Sequence, residues 1–127
     1  MTVGEALERL EELRPGSRVA AGTRQQWLWE LDGLLRQRLF DHSATDEYED
    51  VGADRAWKEG LQDEDILLAP APFDALYPHY LCAKTDAALG ETDRYTGEQA
   101  RYNALLAELG IWLRQQYPPR RALQWRW

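Results

Sequence analysis

Helical periodicity dominates this chain and predicts an all-α fold: a small bundle of about four helices, arranged as two helical hairpins. Three observations carry that expectation. Apolar residues recur at helical spacing in four separate stretches. Helix-start patterns precede these stretches, and Pro or Gly closes them. The links between helices one and two and between three and four are short, whereas a long charged excursion separates the pairs.

Thr2-Val3-Gly4-Glu5 has the capping-box form, in which the Thr2 hydroxyl accepts from the Glu5 N–H while Glu5 reaches back. Val3, Leu7, Leu10 and Leu13 follow at helical spacing, and Pro15-Gly16 ends this first helix. Thr23-Arg24-Gln25-Gln26 repeats the form and predicts a second helix from about Arg24 to Phe40. Its apolar stripe is Trp27, Leu28, Leu31, Leu34, Leu35 and Leu39. Periodicity then fails. Residues 41–66 read as an acidic loop between helices two and three. The mild strand character of Glu47–Val51 and Asp65–Leu68 makes it a candidate for a short β-hairpin.

Leu68-Ala-Pro-Ala-Pro-Phe73 is an extended lead-in. Asp74 is the expected N-cap of helix three, which runs to about Leu89 with Leu76, Tyr77, Tyr80, Leu81 and Ala88 on its apolar face. Pro78 then falls at the fourth helical position, where its missing N–H removes little, and Gly90 is the stop. Helix four is expected from about Thr92 to Tyr117, with Tyr95, Tyr102, Leu105, Leu106, Leu109, Trp112 and Leu113 as its stripe and Pro118-Pro119 as its end. The expected organisation is a helical domain over residues 1–117, with the 41–66 loop inserted, followed by a basic, Trp-containing arm over residues 118–127.

Charge sharpens this division. The 127 residues carry a formal net charge of −7. Residues 41–65 hold ten acids against two bases, a net of −8, so the remainder is +1. From Ile111 to Trp127 there are four arginines and no acid. The stretch from Ile66 to Phe73 is short and broken by two prolines, so no bilayer span is expected, and no signal-peptide pattern opens the chain. A single cysteine, Cys82, excludes an intrachain disulfide and a thiolate-cluster zinc site. The acidic total disfavours generic nucleic-acid binding over the whole surface. Six Trp and six Tyr suit a real core or an interface.

Little in the chain has the pattern of a catalytic or metal site. His42 has only Ser43 and Thr45 as neighbouring nucleophiles, in no recognisable motif, and reads as a solvated loop histidine. His79, between Tyr77 and Tyr80, reads as a satisfied or exposed helix histidine. Cys82 reads as a small core filler. The acid run Asp46-Glu47-Tyr48-Glu49-Asp50 lacks the spacing of an EF-hand loop, and the glycines form no phosphate cradle. No catalytic, cofactor-binding or metal-ligating residue is assigned, and no cofactor is expected. The C-terminal arm is the strongest local oddity, because arginine and tryptophan are the residue types enriched at interface hot spots.

Four segments carry a family resemblance. Trp27-Leu28-Trp29-Glu30-Leu31-Asp32-Gly33 resembles the W-L-x-E-L-D-G segment of small proteins encoded in the head-morphogenesis region of tailed bacteriophages and prophages. The run Leu67 to Tyr77 is similar to their L-L-x-P-x-P-[YF]-D-x-L-Y segment. Tyr80-Leu81-Cys82-Ala83-Lys84-Thr85-Asp86, followed by Gly90-Glu91-Thr92-Asp93-Arg94-Tyr95, resembles their Y-L-x-A-x-x-D … G-E-x-x-R-Y pattern. Tyr102-Asn103 falls where the family often has an aromatic-Asn pair. The resemblance spans about Val3 to Tyr117. The chain departs from it at Pro78 and in the basic arm.

That resemblance implies a non-enzymatic virion assembly protein, a helical head–tail connector (adaptor) docking under the portal as an oligomeric ring. Its implied partners are the portal and the tail or neck proteins of the same phage, with homo-oligomerisation on assembly and a monomer allowed when free. The implied location is the head–tail junction of the virion, preceded by the host cytoplasm. No membrane partner is expected, and DNA contact is open only through the basic arm. Expected partner-contact residues are Asp46, Glu47, Glu49, Asp50, Arg120, Arg121, Trp125, Arg126 and Trp127, complementary charged patches of the kind a head-to-tail ring needs. Two further readings are a phage-encoded accessory or regulatory protein-binding module and a small metal-dependent or hydrolytic enzyme.

Overall fold

A computed structural model describes residues 1–39 and 62–116. They form four α-helices: α1 (Val3–Leu13), α2 (Ala21–Arg38), α3 (Leu76–Ala88) and α4 (Thr92–Gln116), with a 3-10 turn at Phe73–Ala75 ahead of α3. The architecture is the small all-α bundle that the periodicity predicts.

The start of α1 follows the capping box. Glu5 N–H donates to the Thr2 hydroxyl at 3.2 Å, and Thr2 N–H donates to the Glu5 carboxylate at 3.4 Å. Val3, Ala6 and Leu10 are buried, whereas Leu13 is left exposed at the helix end. Gly16 turns the chain with a φ of +70°, a left-handed conformation that glycine adopts without a Cβ penalty.

The second capping box does not form. Helix α2 begins at Ala21, ahead of the expected Arg24, and its N-cap Ala20 makes no side-chain bond. Arg24 N–H already donates to the Ala20 carbonyl at 3.2 Å, so Thr23 lies inside the first turn. Gln26 bonds forward to Glu30 at 3.3 Å instead of reaching back. Sequence spacing alone could not show that the chain becomes helical three residues earlier.

Asp65–Leu68 does have extended character, but its partner is the first residues of the chain. Thr2 and Ile66 form an isolated antiparallel bridge. Val3 N–H donates to Asp65 O, and Leu67 N–H donates to Met1 O, both at 2.9 Å. Gly4 N–H also bonds Asp63 O at 2.9 Å, and a Cβ at Gly4 would sit 3.2 Å from that oxygen, so the close approach favours glycine. The other half of the expected hairpin, Glu47–Val51, lies outside the described residues.

The lead-in to α3 is largely buried from Leu67 to Pro70, and the Ala71–Pro72 peptide is cis. Asp74 is not the N-cap of α3: it sits within the 3-10 turn, and its carboxylate meets the Met1 amino group at 3.3 Å. Pro78 therefore occupies the third position of α3 rather than the fourth, still within the first turn, where an N–H has no helical partner. Ala88, expected on the apolar face, is exposed. Helix α4 runs as expected to Gln116.

The α3–α4 pair is the most extensive helix contact, closed by Gly90 with a φ of +76°. Helix α1 leans on α3 more than on α2. The core joins Val3, Ala6 and Leu10 of α1, Leu28, Leu31 and Leu35 of α2, the lead-in, Leu76, Tyr77, Leu81 and Cys82 of α3, and Tyr102, Leu109 and Leu113 of α4. Each fully buried leucine there contributes about 1.5–3 kcal/mol relative to exposure. Among the described residues, no helix is long and apolar enough to cross a membrane.

Candidate functional site

Polar chemistry in the described residues gathers along the α3–α4 seam, and helical spacing sorts it into two flanks. His79, Cys82 and Asp86 recur on one flank of α3, facing Glu98 and Arg101 of α4. Tyr80, Lys84 and Ala87 lie on the adjoining flank, facing Tyr95, Gln99 and Tyr102.

The first flank is an ion cluster closed by Arg14, the C-cap residue of α1. Arg14 Nε donates to Asp86 Oδ1 at 2.8 Å and its Nη2 to Asp86 Oδ2 at 3.0 Å, a bidentate fork. The same Nη2 reaches Glu98 Oε1 at 3.2 Å. Glu98 also takes Arg101 at 3.3 Å and His79 Nδ1 at 2.7 Å. Asp86 and Glu98 are 1% and 6% exposed, so these are carboxylates withdrawn from water and matched by cations. The hydrogen bonds to Asp86 push the Arg14 guanidinium further up from its already high value.

Cys82, His79 and Glu98 have the residue types of a nucleophile, a base and an orienting acid. The thiol does not suit that role. Burial pushes it up to about 11, against the opposing pull of Arg14, so it stays protonated at neutral pH, whereas the reactive form is the thiolate. Cys82 is fully buried within the core, as a small filler. His79 is the satisfied helix histidine expected from its position.

A second buried knot joins α2 to the lead-in. Asp32 Oδ1 accepts from Leu68 N–H and from the Tyr77 hydroxyl, both at 3.2 Å, while that hydroxyl accepts from Ala69 N–H at 2.8 Å. Arg36, one turn on, faces the other carboxylate oxygen at 3.4 Å. Burial pushes the Asp32 carboxyl above its usual value, partly countered by Arg36 and the two hydrogen bonds.

The second flank of the seam is aromatic and partly open. Tyr80 and Tyr102 pack with ring centroids 5.2 Å apart, and Lys84 Nζ lies 5.7 Å from the Tyr80 centroid. Burial pushes the Tyr80 hydroxyl up to about 12 and Tyr102 in the same direction. Beside them an open cleft of about 270 Å³ is lined by Tyr80, Lys84, Ala87, Tyr95 and Gln99.

The nine expected contact residues, Asp46, Glu47, Glu49, Asp50, Arg120, Arg121, Trp125, Arg126 and Trp127, lie outside the described residues, as does His42. The residues that do form polar clusters went unassigned in the sequence. A signal was nevertheless present. Asp32 stands four residues after Leu28 and three before Leu35, and Asp86 four after Cys82, so both charges fall on apolar stripes. A carboxylate at a stripe position implies a buried partner. No family model, curated protein or solved structure matches this chain.

Proposed function

We propose that this chain is a non-enzymatic virion assembly protein of a tailed bacteriophage or prophage. In this reading it is a head–tail connector that docks beneath the portal as an oligomeric ring, after existing in the host cytoplasm. The supporting observation is what the phage-like segments do in the fold. The Trp27–Gly33 segment supplies Asp32, which bonds Tyr77 from the Leu67–Tyr77 segment. The Tyr80–Asp86 segment supplies Leu81 and Cys82 to the core and Asp86 to the Arg14 fork. The motif residues thus tie helices together rather than present a reacting group to solvent. An adaptor needs that property: a rigid body whose outer segments are free to vary with the partner.

On this reading the charged segments at 46–50 and 120–127 make the contacts with portal, neck and neighbouring subunits. The test compares the full chain with one lacking residues 120–127 for co-purification with the portal of the same phage. The expected result is loss of portal binding with the helical circular-dichroism signal retained. Unchanged binding removes the arm from the mechanism, and no binding by the full chain removes the connector reading itself.

A further inference from the structure

The open cleft on the aromatic flank of the α3–α4 seam is not used by the core or by either buried knot. We propose that it receives residues 46–50 of a second copy of this chain, Asp46-Glu47-Tyr48-Glu49-Asp50, and that this contact is the subunit joint of the ring; the proposal rests on the connector reading above.

The cleft chemistry selects the occupant. At about 270 Å³ it is at the small end for a binding pocket, suited to one side chain and its flanks rather than to a helix. Tyr80 and Tyr95 line it, and Tyr95 is 37% exposed, so an aromatic side chain gains apolar contact there. Among the described lining residues Lys84 is the one charge, and Gln99 adds an amide. An aromatic residue bordered by carboxylates fits this set. Tyr48 has two acids on each side. The basic arm would set arginines against Lys84 instead. Glu30, on α2, acts electrostatically on the Tyr80 hydroxyl and is the opposing charge, so the carboxylates belong on the Lys84 side.

Donor segment and acceptor cleft are different surfaces of one chain, so the contact is heterologous and repeats until a ring closes. One partly exposed ion pair and one aromatic contact hold two free copies weakly. A portal that presents copies side by side raises their effective concentration and secures the joint.

The test titrates a labelled peptide of residues 43–53 into the full chain, followed by fluorescence anisotropy. Saturable binding is expected, weakened about fivefold or more by Lys84→Glu and abolished by Ala87→Trp, which fills the cleft from an exposed position. Binding that does not saturate, or that ignores both variants, overturns the proposal. Carbodiimide cross-linking of a mixture of ¹⁴N and ¹⁵N chains provides a second readout. Lys84 joined to the 46–50 acids between isotopes supports the joint; the link within one isotope alone, or its absence, overturns it. Portal binding is measured separately, so an unsubstituted chain that binds neither peptide nor second copy but still binds portal rejects the joint and leaves the connector reading standing.

Discussion

Arg14 holds two carboxylates that water scarcely reaches, and it does so from the C-cap of a short helix. Removing it leaves Asp86 and Glu98 buried with less compensation, His79 and Arg101 being the remaining partners of Glu98. Arg14→Leu is therefore expected to destabilise the fold by about 3–5 kcal/mol in urea unfolding, the range for breaking a buried pair. A loss under about 1 kcal/mol would show the cluster to be dispensable. Asp32 behaves differently, because burial raises its folded carboxyl above the ordinary value of 3.8. A raised folded value means that the native state holds the proton more tightly than the unfolded chain. That stabilisation is complete below the unfolded value and is lost as pH rises through the folded one. Asp32→Asn keeps an oxygen for Leu68 and Tyr77 and removes the titration. Relative to the variant, the native chain should gain stability on going from pH 7 to pH 4, as read by urea midpoints; a relative loss on acidification contradicts the assignment.

At the scale of helices, Thr2 and Thr23 look alike in sequence, and each opens a capping-box pattern. Only Thr2 stands where the backbone is still extended, with a φ of −84° and ψ of 164°. Thr2→Ala should cost about 1 kcal/mol, whereas Thr23→Ala, inside the first turn of α2, should stay within about 0.5 kcal/mol. Equal costs would place the start of α2 at Arg24 after all. The same contrast explains what sequence reading could reach. Apolar stripes located all four helices, because burial of one face determines where each lies. Starts were harder. The onset of α2 depends on backbone bonds to Ala20, and the turn before α3 depends on an ion pair between Met1 and Asp74, residues far apart in the chain. The polar clusters were legible only as misplaced charges on apolar faces. Their partners, Arg14 for Asp86 and Tyr77 for Asp32, are set by tertiary packing that no local pattern encodes.

For the whole molecule, the ion cluster and the Asp32 knot make the bundle a braced body: α1, α3 and α4 meet at Arg14, while α2 and the lead-in meet at Asp32. Such bracing suits a part that transmits position between neighbours rather than one that opens and closes. The Trp27–Gly33, Leu67–Tyr77 and Tyr80–Asp86 segments supply much of this bracing, and the connector proposal argues from that role. The expected contact residues at 46–50 and 120–127 lie outside the described residues. The most direct measurement is size-exclusion chromatography with light scattering, on the chain alone and with assembled portal rings. The connector reading predicts a chain that adds to the portal peak in a fixed multiple of its 14.7 kDa mass, one copy for each position of a ring. A portal peak of unchanged mass, with the chain eluting separately at every ratio, would contradict it.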